Sequence, residues 1–271
     1  MKKSRSFLKW AGGKYPLVDT IREYLPAGKC LIEPFVGAGS VFLNTDYEEY
    51  ILGDINSDLI NLYNIVKDRT DEIVNDAREF FSGAYNQEDI FYQQRTEFNQ
   101  STDDYRRALL FLYLNRHCYN GLCRYNLSGE FNVPFGRYKK PYFPESELYF
   151  FAEKAKRATF FCANYEQIMS KASEGAVVYC DPPYAPLSAT ANFTAYHTNN
   201  FNVSEQQRLA ELAQEIAKNI GVPVLISNHD TELTREWYRE AKLVVVKGRR
   251  TISSNAAGRI KVNELLALYK R

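Results

Sequence analysis

The chain has 271 residues with 34 Lys plus Arg against 33 Asp plus Glu, a formal net charge of +1, so bulk charge announces neither a polycation nor an acidic tail. Hydrophobic residues at 45% and aromatics at 14% exclude a disordered chain, and no run of about 18 apolar residues offers a membrane span. Five cysteines lack framework spacing, which predicts reduced thiols in a cytoplasm, and with three histidines in all a zinc site at the close pair Cys118 and Cys123 is not expected.

The start, Met1-Lys2-Lys3-Ser4-Arg5, is basic but no apolar signal core follows it. Cys30-Leu31-Ile32-Glu33-Pro34 reads as a strand, followed by Phe35-Val36-Gly37-Ala38-Gly39-Ser40 and the apolar helix start Val41-Phe42-Leu43. Glycines at a strand-to-helix turn let a backbone approach a ligand closely. A second strand, Tyr50-Ile51-Leu52-Gly53, ends in Asp54, and an acid at the next strand's tip is where a ribose hydroxyl pair is gripped. The third glycine of a dinucleotide fingerprint falls at Phe42, so a nucleoside without phosphate fits better than a pyrophosphate. Taken alone, the glycine pair equally describes a plain tight turn.

Helices are predicted from Ser57 to about Arg69, from Asp71 to Phe81 and from Glu88 to Asn115. From Arg116 to Phe143 the pattern is loops and short strands, with Gly129 and Gly136 as turn signals. Residues 116–140 hold Arg116, Arg124, Arg137, Lys139 and Lys140 against Glu130 alone, a local net charge of +4. Tyr119, Tyr125, Phe131, Phe135 and Tyr138 are interleaved with them, which suits a surface that grips phosphates and stacks on bases. Phe131 and Phe135 read instead as a small core. The α/β rhythm then resumes with a helix over Leu148 to Ala155, the strand Thr159 to Cys162 and the strand Gly175 to Cys180. Ser204 with Gln207 predicts a capping box opening a helix that ends near Ile220, and Pro223 to Ser227 reads as a strand. Lys242 to Lys247 and Val262 to Tyr269 form a final strand pair. The predicted fold is α/β: a mixed, mainly parallel sheet with helices on both faces, residues 1–56 and 145–271, carrying an insertion of roughly ninety residues, 57–144, where the βα alternation lapses.

The strongest chemical signal is Asp181-Pro182-Pro183-Tyr184, directly after the buried strand. Two prolines cannot continue a ladder, so an acid, the Pro182 carbonyl and an aromatic ring are fixed at a sheet's carboxyl edge, where open α/β sheets bind ligands. An exocyclic aryl amine is a poor nucleophile because its lone pair is conjugated into the ring. Two acceptors for its hydrogens and an aromatic face for the base address that problem.

F-x-G-x-G followed by D-P-P-Y resembles the S-adenosylmethionine-dependent amino-methyltransferases that act on adenine N6. Phe7 to Lys14, Asn115 to Arg124, Phe131 to Lys140 and Ser227 to Asp230 extend the resemblance over essentially the whole chain, toward bacterial DNA adenine methyltransferases whose family target is GATC. It implies a Rossmann-like fold, S-adenosyl-L-methionine as cofactor, double-stranded DNA as partner, and a monomer in the cytoplasm held to the nucleoid by DNA. Phe35, Gly37 and Gly39 would line the cofactor, Asp54 would hold its ribose, and Trp10 and Lys14 match positions at its methionine part, although core packing also accounts for Trp10. Asp181 would accept from the target amine and also belong to the cofactor-binding set, the Pro182 carbonyl would take the other hydrogen, and Tyr184 would stack on the base; no metal is implied. The insertion would bind DNA: Tyr119 with Asn120 would prop the gap of a flipped base, Arg124 would read a guanine, and Leu122 and Pro134 would meet a thymine methyl; Lys9, outside the insertion and beside the cofactor motif, would meet the outer guanine. Arg137, Tyr138, Lys139 and Lys140 complete this face. Ribosomal-RNA adenine and protein-glutamine methyltransferases, which share related motifs, and a non-catalytic DNA-binding scaffold stay open at this point.

Overall fold

The computed structural model describes residues 3–185, 201–247, 251–252, 260–261 and 263–271. The chain divides into two compact units, one comprising Met1–Tyr15, Val36–Thr45 and Asp54–Cys162, the other Pro16–Phe35, Asp46–Gly53 and Ala163–Arg271. The expected insertion, 57–144, falls wholly within the first.

The first unit is mostly helical: α2 (Ser57–Asp68), α3 (Thr70–Phe80), α4 (Glu88–Gln100), α5 (Asp104–His117) and α6 (Glu145–Ala155), with strand β3 (Ala158–Cys162). Every residue of α5 from Ala108 to His117 is buried, the run Ala108–Leu114 being apolar on every side, and α2, α3 and α4 pack about it. Phe111, Leu112 and Leu114 reach zero exposure, and burying each side chain is worth about 1.5–3 kcal/mol. Phe7 from the N-terminal segment meets Tyr63 of α2 and Phe151 of α6 edge to face at 5.9 and 5.0 Å. The single predicted helix over Glu88 to Asn115 is two. The Asp103 carboxylate accepts from Arg106 N at 2.6 Å and caps α5, so the backbone turns at Ser101–Asp103.

The helix expected after the glycine loop is also absent, and Phe42–Asn44 forms only a 3-10 turn. Thr45 Oγ1 donates to the Val41 carbonyl at 3.0 Å and Asn44 Nδ2 donates to the Ser40 carbonyl at 2.8 Å. These side chains occupy acceptors that a continuing helix would need.

The second unit holds α1 (Val18–Tyr24), β1 (Cys30–Glu33), β2 (Glu49–Asp54), which runs on into Asp54 of the first unit, α7 (Tyr165–Met169), β4 (Ala176–Cys180), α8 (Val203–Asn219), β5 (Val224–His229), α9 (Glu232–Trp237), β6 (Lys242–Val246), the short strands β7 (Thr251–Ile252) and β8 (Ile260–Lys261), and β9 (Glu264–Tyr269). Seven strands form one mixed sheet in the order β3-β2-β1-β4-β5-β9-β6, and β7 pairs separately with β8. β1 pairs in parallel with β2 and β4, and β4 with β5; β9 runs antiparallel to β5 and β6. All of β4 is buried, as a strand covered on both faces must be, hence its unbroken apolar sequence. β1 leads outward to β2 on one side and is flanked by β4 on the other, so the strand order reverses between β1 and β4. In open α/β sheets, ligands bind at the carboxyl ends of the strands where the order reverses. Phe35 and Asp181 follow those ends. α8 opens at Asn202, whose side chain accepts from Glu205 N at 3.1 Å, and not at the Ser204–Gln207 pair that its sequence suggests. Val262, the expected start of the last strand, lies outside the described residues.

Candidate active site

The Asp181–Ala185 segment is fastened along its length within the second unit. Ser227 Oγ lies 3.4 Å from Asp181 Oδ1 and 2.8 Å from the Tyr179 hydroxyl. Gln206 Nε2 donates to the Pro183 carbonyl at 2.6 Å. The Tyr184 hydroxyl donates to Glu264 Oε2, and its ring stands edge to face with His229 at 4.4 Å. Ala185 N donates to Asn228 Oδ1 at 3.0 Å, and the Ala185 carbonyl sits 3.0 Å from His229 Nδ1. β5 thus supplies three successive fasteners, and β9 supplies Glu264, which stands opposite His229 in the ladder. Burial, reinforced by the charges of Asp181 and Glu264, holds the Tyr184 phenol well above its ordinary pKa, so it stays protonated and donates. An acid and an aromatic ring are therefore held rigidly past the end of β4, as the sequence predicts.

In the same unit the Phe35 ring stacks on Tyr165 at 5.6 Å with 20° between planes, and Phe201 meets Phe35 edge-on at 5.5 Å. Asn164 caps α7, accepting from Gln167 N at 2.9 Å.

The first unit carries the glycine loop. Gly37 has φ +45, and a Cβ there would stand 3.0 Å from the Trp10 indole nitrogen. Glycine is therefore required both by the backbone and by the contact with Trp10. Asp54 Oδ2 accepts from Gly37 N and Oδ1 from Asn56 N, each at 3.0 Å, while the Tyr63 hydroxyl donates to the Gly37 carbonyl. Burial raises the Asp54 pKa above its ordinary 3.8, opposed by these backbone hydrogen bonds. Trp10, Gly37 and Asp54 are thus brought together. Lys14 is buried at 3% exposure with Nζ 3.1 Å from the Gly12 carbonyl. Ile55, an apolar side chain left 74% exposed directly after Asp54, escaped the sequence reading because an isolated exposed isoleucine has no motif.

The basic and aromatic segment is a second cluster of the first unit. Asn120 (φ 53) and Gly121 (φ 62) make a left-handed turn, and a Cβ on Gly121 would come within 2.1 Å of Lys9 Cβ. Tyr119 is 52% exposed and belongs to no core. Lys9 is stapled to the end of α5: the Asn115 side chain accepts from Lys9 N at 2.9 Å and donates to its carbonyl at 2.8 Å. The Lys9 ammonium lies 3.6 Å from the Tyr138 ring centroid and donates to the Arg116 carbonyl at 3.3 Å; burial, then Arg116, lowers its pKa. Arg124 is exposed, its guanidinium held by the Asn132 side chain at 2.7 Å and the Asn132 carbonyl at 3.1 Å. On either side of it, Cys123 Sγ receives Asn56 Nδ2 at 3.4 Å and the Tyr125 hydroxyl donates to Asp58 at 2.7 Å. Arg107 also grips Asp58, so the segment bearing Arg124 is anchored on the start of α2. Leu122 is half-buried, and Pro134 is exposed with its carbonyl accepting from Tyr119 N at 2.8 Å. Lys139, Lys140 and Arg137 are exposed, Arg137 in a 3.3 Å surface pair with Glu88. Phe131 is fully buried, and Phe135 packs on Phe91 at 5.4 Å, so both belong to the core as expected.

Gln206 on α8, Asn228 on β5 and Glu264 on β9 are the residues of this site whose roles the sequence did not reveal, since a buried polar side chain has no signature apart from its surroundings. Among the described residues no group of three or more His, Cys, Asp or Glu is placed to hold a metal, and no helix is long and apolar enough to cross a membrane.

Comparison with known proteins accounts for this arrangement. The chain is 74% identical to a DNA adenine methylase of Serratia marcescens over the whole length of both chains. It is 69% identical to that of Escherichia coli strain K12 and 59% identical to that of a Vibrio cholerae strain, covering 97% of each relative. Residues 10–252 match the family described as D12 class N6 adenine-specific DNA methyltransferase. With the acid-and-ring turn at the end of β4 and the glycine loop pinned by Asp54, this chain belongs to the D12 class of N6 adenine-specific DNA methyltransferases.

Proposed function

We propose that the enzyme takes the methyl group of S-adenosyl-L-methionine, places it on the N6 amine of adenine within GATC in double-stranded DNA, and reaches that base by flipping it out of the helix. The observation that carries the reading is the Asp181–Ala185 turn, held at every residue but Pro182 by side chains of β5, α8 and β9. The cofactor fits the donor set present: a buried ammonium at Lys14 for a carboxylate, a carboxylate at Asp54 for ribose hydroxyls, and a glycine at position 37 where any side chain would fill the space beside Trp10. When bound, S-adenosylmethionine supplies a sulfonium methyl group, already a strong electrophile. Asp181 and the Pro182 carbonyl accept hydrogen bonds from the two amine hydrogens, favouring a pyramidal nitrogen whose lone pair is free to attack, and Asp181 stabilises the positive charge that develops on N6 until one of those protons is released to solvent. Tyr184 offers its ring to the base while its hydroxyl is anchored on Glu264. Rate comes largely from positioning and electrostatics.

Extrusion of a paired adenine costs a few kcal/mol, and Tyr119, exposed at the left-handed Asn120–Gly121 turn, fills the space left behind. Arg124 reads a guanine through O6 and N7, Leu122 and Pro134 contact the thymine methyl, Lys9 contacts the outer guanine, and Arg137, Tyr138, Lys139 and Lys140 grip phosphates. Residues 57–144 form the target-recognition region; 1–56 and 145–271 form the catalytic region. The protein works as a monomer in the cytoplasm. A methylation-rate panel over every single-base variant of GATC tests the reading: one preferred sequence with steep losses at each position supports it, and a flat panel refutes it.

A further inference from the structure

We propose that Gln206 and Asn228 are positioning residues that set the aim of the Pro182 carbonyl and the Tyr184 ring; the inference rests on the catalytic reading of that turn. The two amides bracket Tyr184. Gln206 Nε2 holds the Pro183 carbonyl at 2.6 Å, fixing the peptide plane before Tyr184. Asn228 Oδ1 holds Ala185 N at 3.0 Å, fixing the plane after it. Both backbone dihedrals of Tyr184 are thereby restrained. Because the pyrrolidine ring locks φ of Pro183, fixing the Pro183 carbonyl also restricts the orientation of the Pro182 carbonyl one unit upstream.

The amides also fix each other. Asn228 Nδ2 donates to Gln206 Oε1 at 3.0 Å and to the Tyr238 hydroxyl at 2.9 Å, and Asn228 Oδ1 takes a second hydrogen from His229 N at 2.9 Å. Asn228 thus makes all four hydrogen bonds an asparagine can make. Asn228 and Tyr238 have zero exposure and Gln206 has 2%. A saturated buried network admits one orientation, whereas a half-satisfied one is costly. Asn228 is adjacent in β5 to Ser227, whose hydroxyl meets Asp181, so one strand registers the acid and the turn that follows it.

Two near-isosteric variants separate aim from folding. Gln206→Met loses both of its hydrogen bonds. Gln206→Glu keeps an acceptor for Asn228 but loses the donor to Pro183 and sets a carboxylate oxygen against that carbonyl. The assay is single-turnover methylation of a GATC duplex at saturating S-adenosylmethionine, with cofactor and duplex affinities by calorimetry and melting temperature for each protein. Both variants are expected to lose at least tenfold in the single-turnover rate while cofactor and duplex affinities stay within twofold and wild-type folding is retained. Gln206→Glu losing as much rate as Gln206→Met identifies the Pro183 bond as the operative one. A Gln206→Met rate within twofold of wild type overturns the inference, as does a rate loss matched by an equal loss of either affinity. Asp181→Ala run alongside keeps the two levels apart: if it retains transfer, the catalytic reading and this inference both fail; if it is inactive while Gln206→Glu and Gln206→Met are unimpaired, the inference alone fails.

Discussion

Asp54 gives a prediction whose size can be worked from its contacts. Both carboxylate oxygens accept backbone N–H groups, Oδ2 from Gly37 and Oδ1 from Asn56, at 3.0 Å each. The side chain therefore shapes the glycine loop, and in the proposed function it also presents its charge to a ribose. Hydrogen bonds to charged groups contribute about 1.5–3 kcal/mol each. Asp54→Ala is expected to weaken S-adenosylmethionine binding by that amount, about tenfold to 150-fold in Kd. Asp54→Asn retains one acceptor but turns an amide NH2 toward the other backbone N–H, so its loss in affinity should approach that of alanine. Burial raises the Asp54 pKa, which sets two opposite trends with pH. The raised folded-state pKa means that this group's contribution to folding stability is greatest at low pH and declines as pH rises through that pKa. Cofactor grip needs the ionised form, so affinity should fall on acidification at a pH above the ordinary 3.8. Calorimetry at several pH values reads both variants, with duplex affinity in the absence of cofactor as the control, expected unchanged. Unaltered cofactor affinity in Asp54→Ala would remove Asp54 from the site and refute the reasoning.

Arg124→Ala should lose discrimination at one base pair of the target by roughly 1–3 kcal/mol, whereas Lys139→Ala or Lys140→Ala should weaken all sequences alike and shallow the salt slope. A common factor across all sites for Arg124→Ala would make it a phosphate or structural residue. Tyr119→Ala should slow and dim the fluorescence rise of 2-aminopurine placed at the target adenine, and a wild-type response would remove Tyr119 from flipping. His117 is fully buried with Nδ1 2.9 Å from the Tyr113 carbonyl, and burial, assisted by Lys9 and Arg116, lowers its pKa to about 4. Between that value and about 6.5 the unfolded chain binds more protons, so unfolding free energy should drop by about 2 kcal/mol from pH 7 to pH 5 through this group. Urea titrations of His117→Gln should lack that part of the slope; an unchanged slope assigns it elsewhere.

Sequence legibility followed the range of the interactions. The end of β4 was readable because two prolines stop a ladder whatever surrounds them, and β1 and β2 because apolar runs bounded by glycine and acid have few alternatives. The helix expected after Gly39 failed because Asn44 and Thr45 take backbone carbonyls that its continuation would need. The break at Ser101–Asp103 was written in the sequence, since Asp103 is a capping residue, but the apolar run from Ala108 to Leu114 masked it. At α8, Asn202 and Ser204 both suit an N-cap, and only the backbone path separates them. Contacts that span the chain were not readable at all: Asn115 stapling Lys9 joins positions 106 apart, and Asn228 and Gln206 become site residues only when β5 and α8 close on the turn. The exposure of Tyr119 sets it apart from Phe131 and Phe135 and decides against core packing.

The most direct measurement maps the modified bases. Duplex DNA is incubated with S-adenosylmethionine and either the wild-type protein or Asp181→Ala, and every methylated position is identified by site and by atom. The account predicts N6-methyladenine within GATC from the wild type and none from Asp181→Ala, which should still bind the duplex. Methylation by Asp181→Ala at even a tenth of the wild-type single-turnover rate, or wild-type methylation spread over adenines regardless of their neighbours, would contradict it.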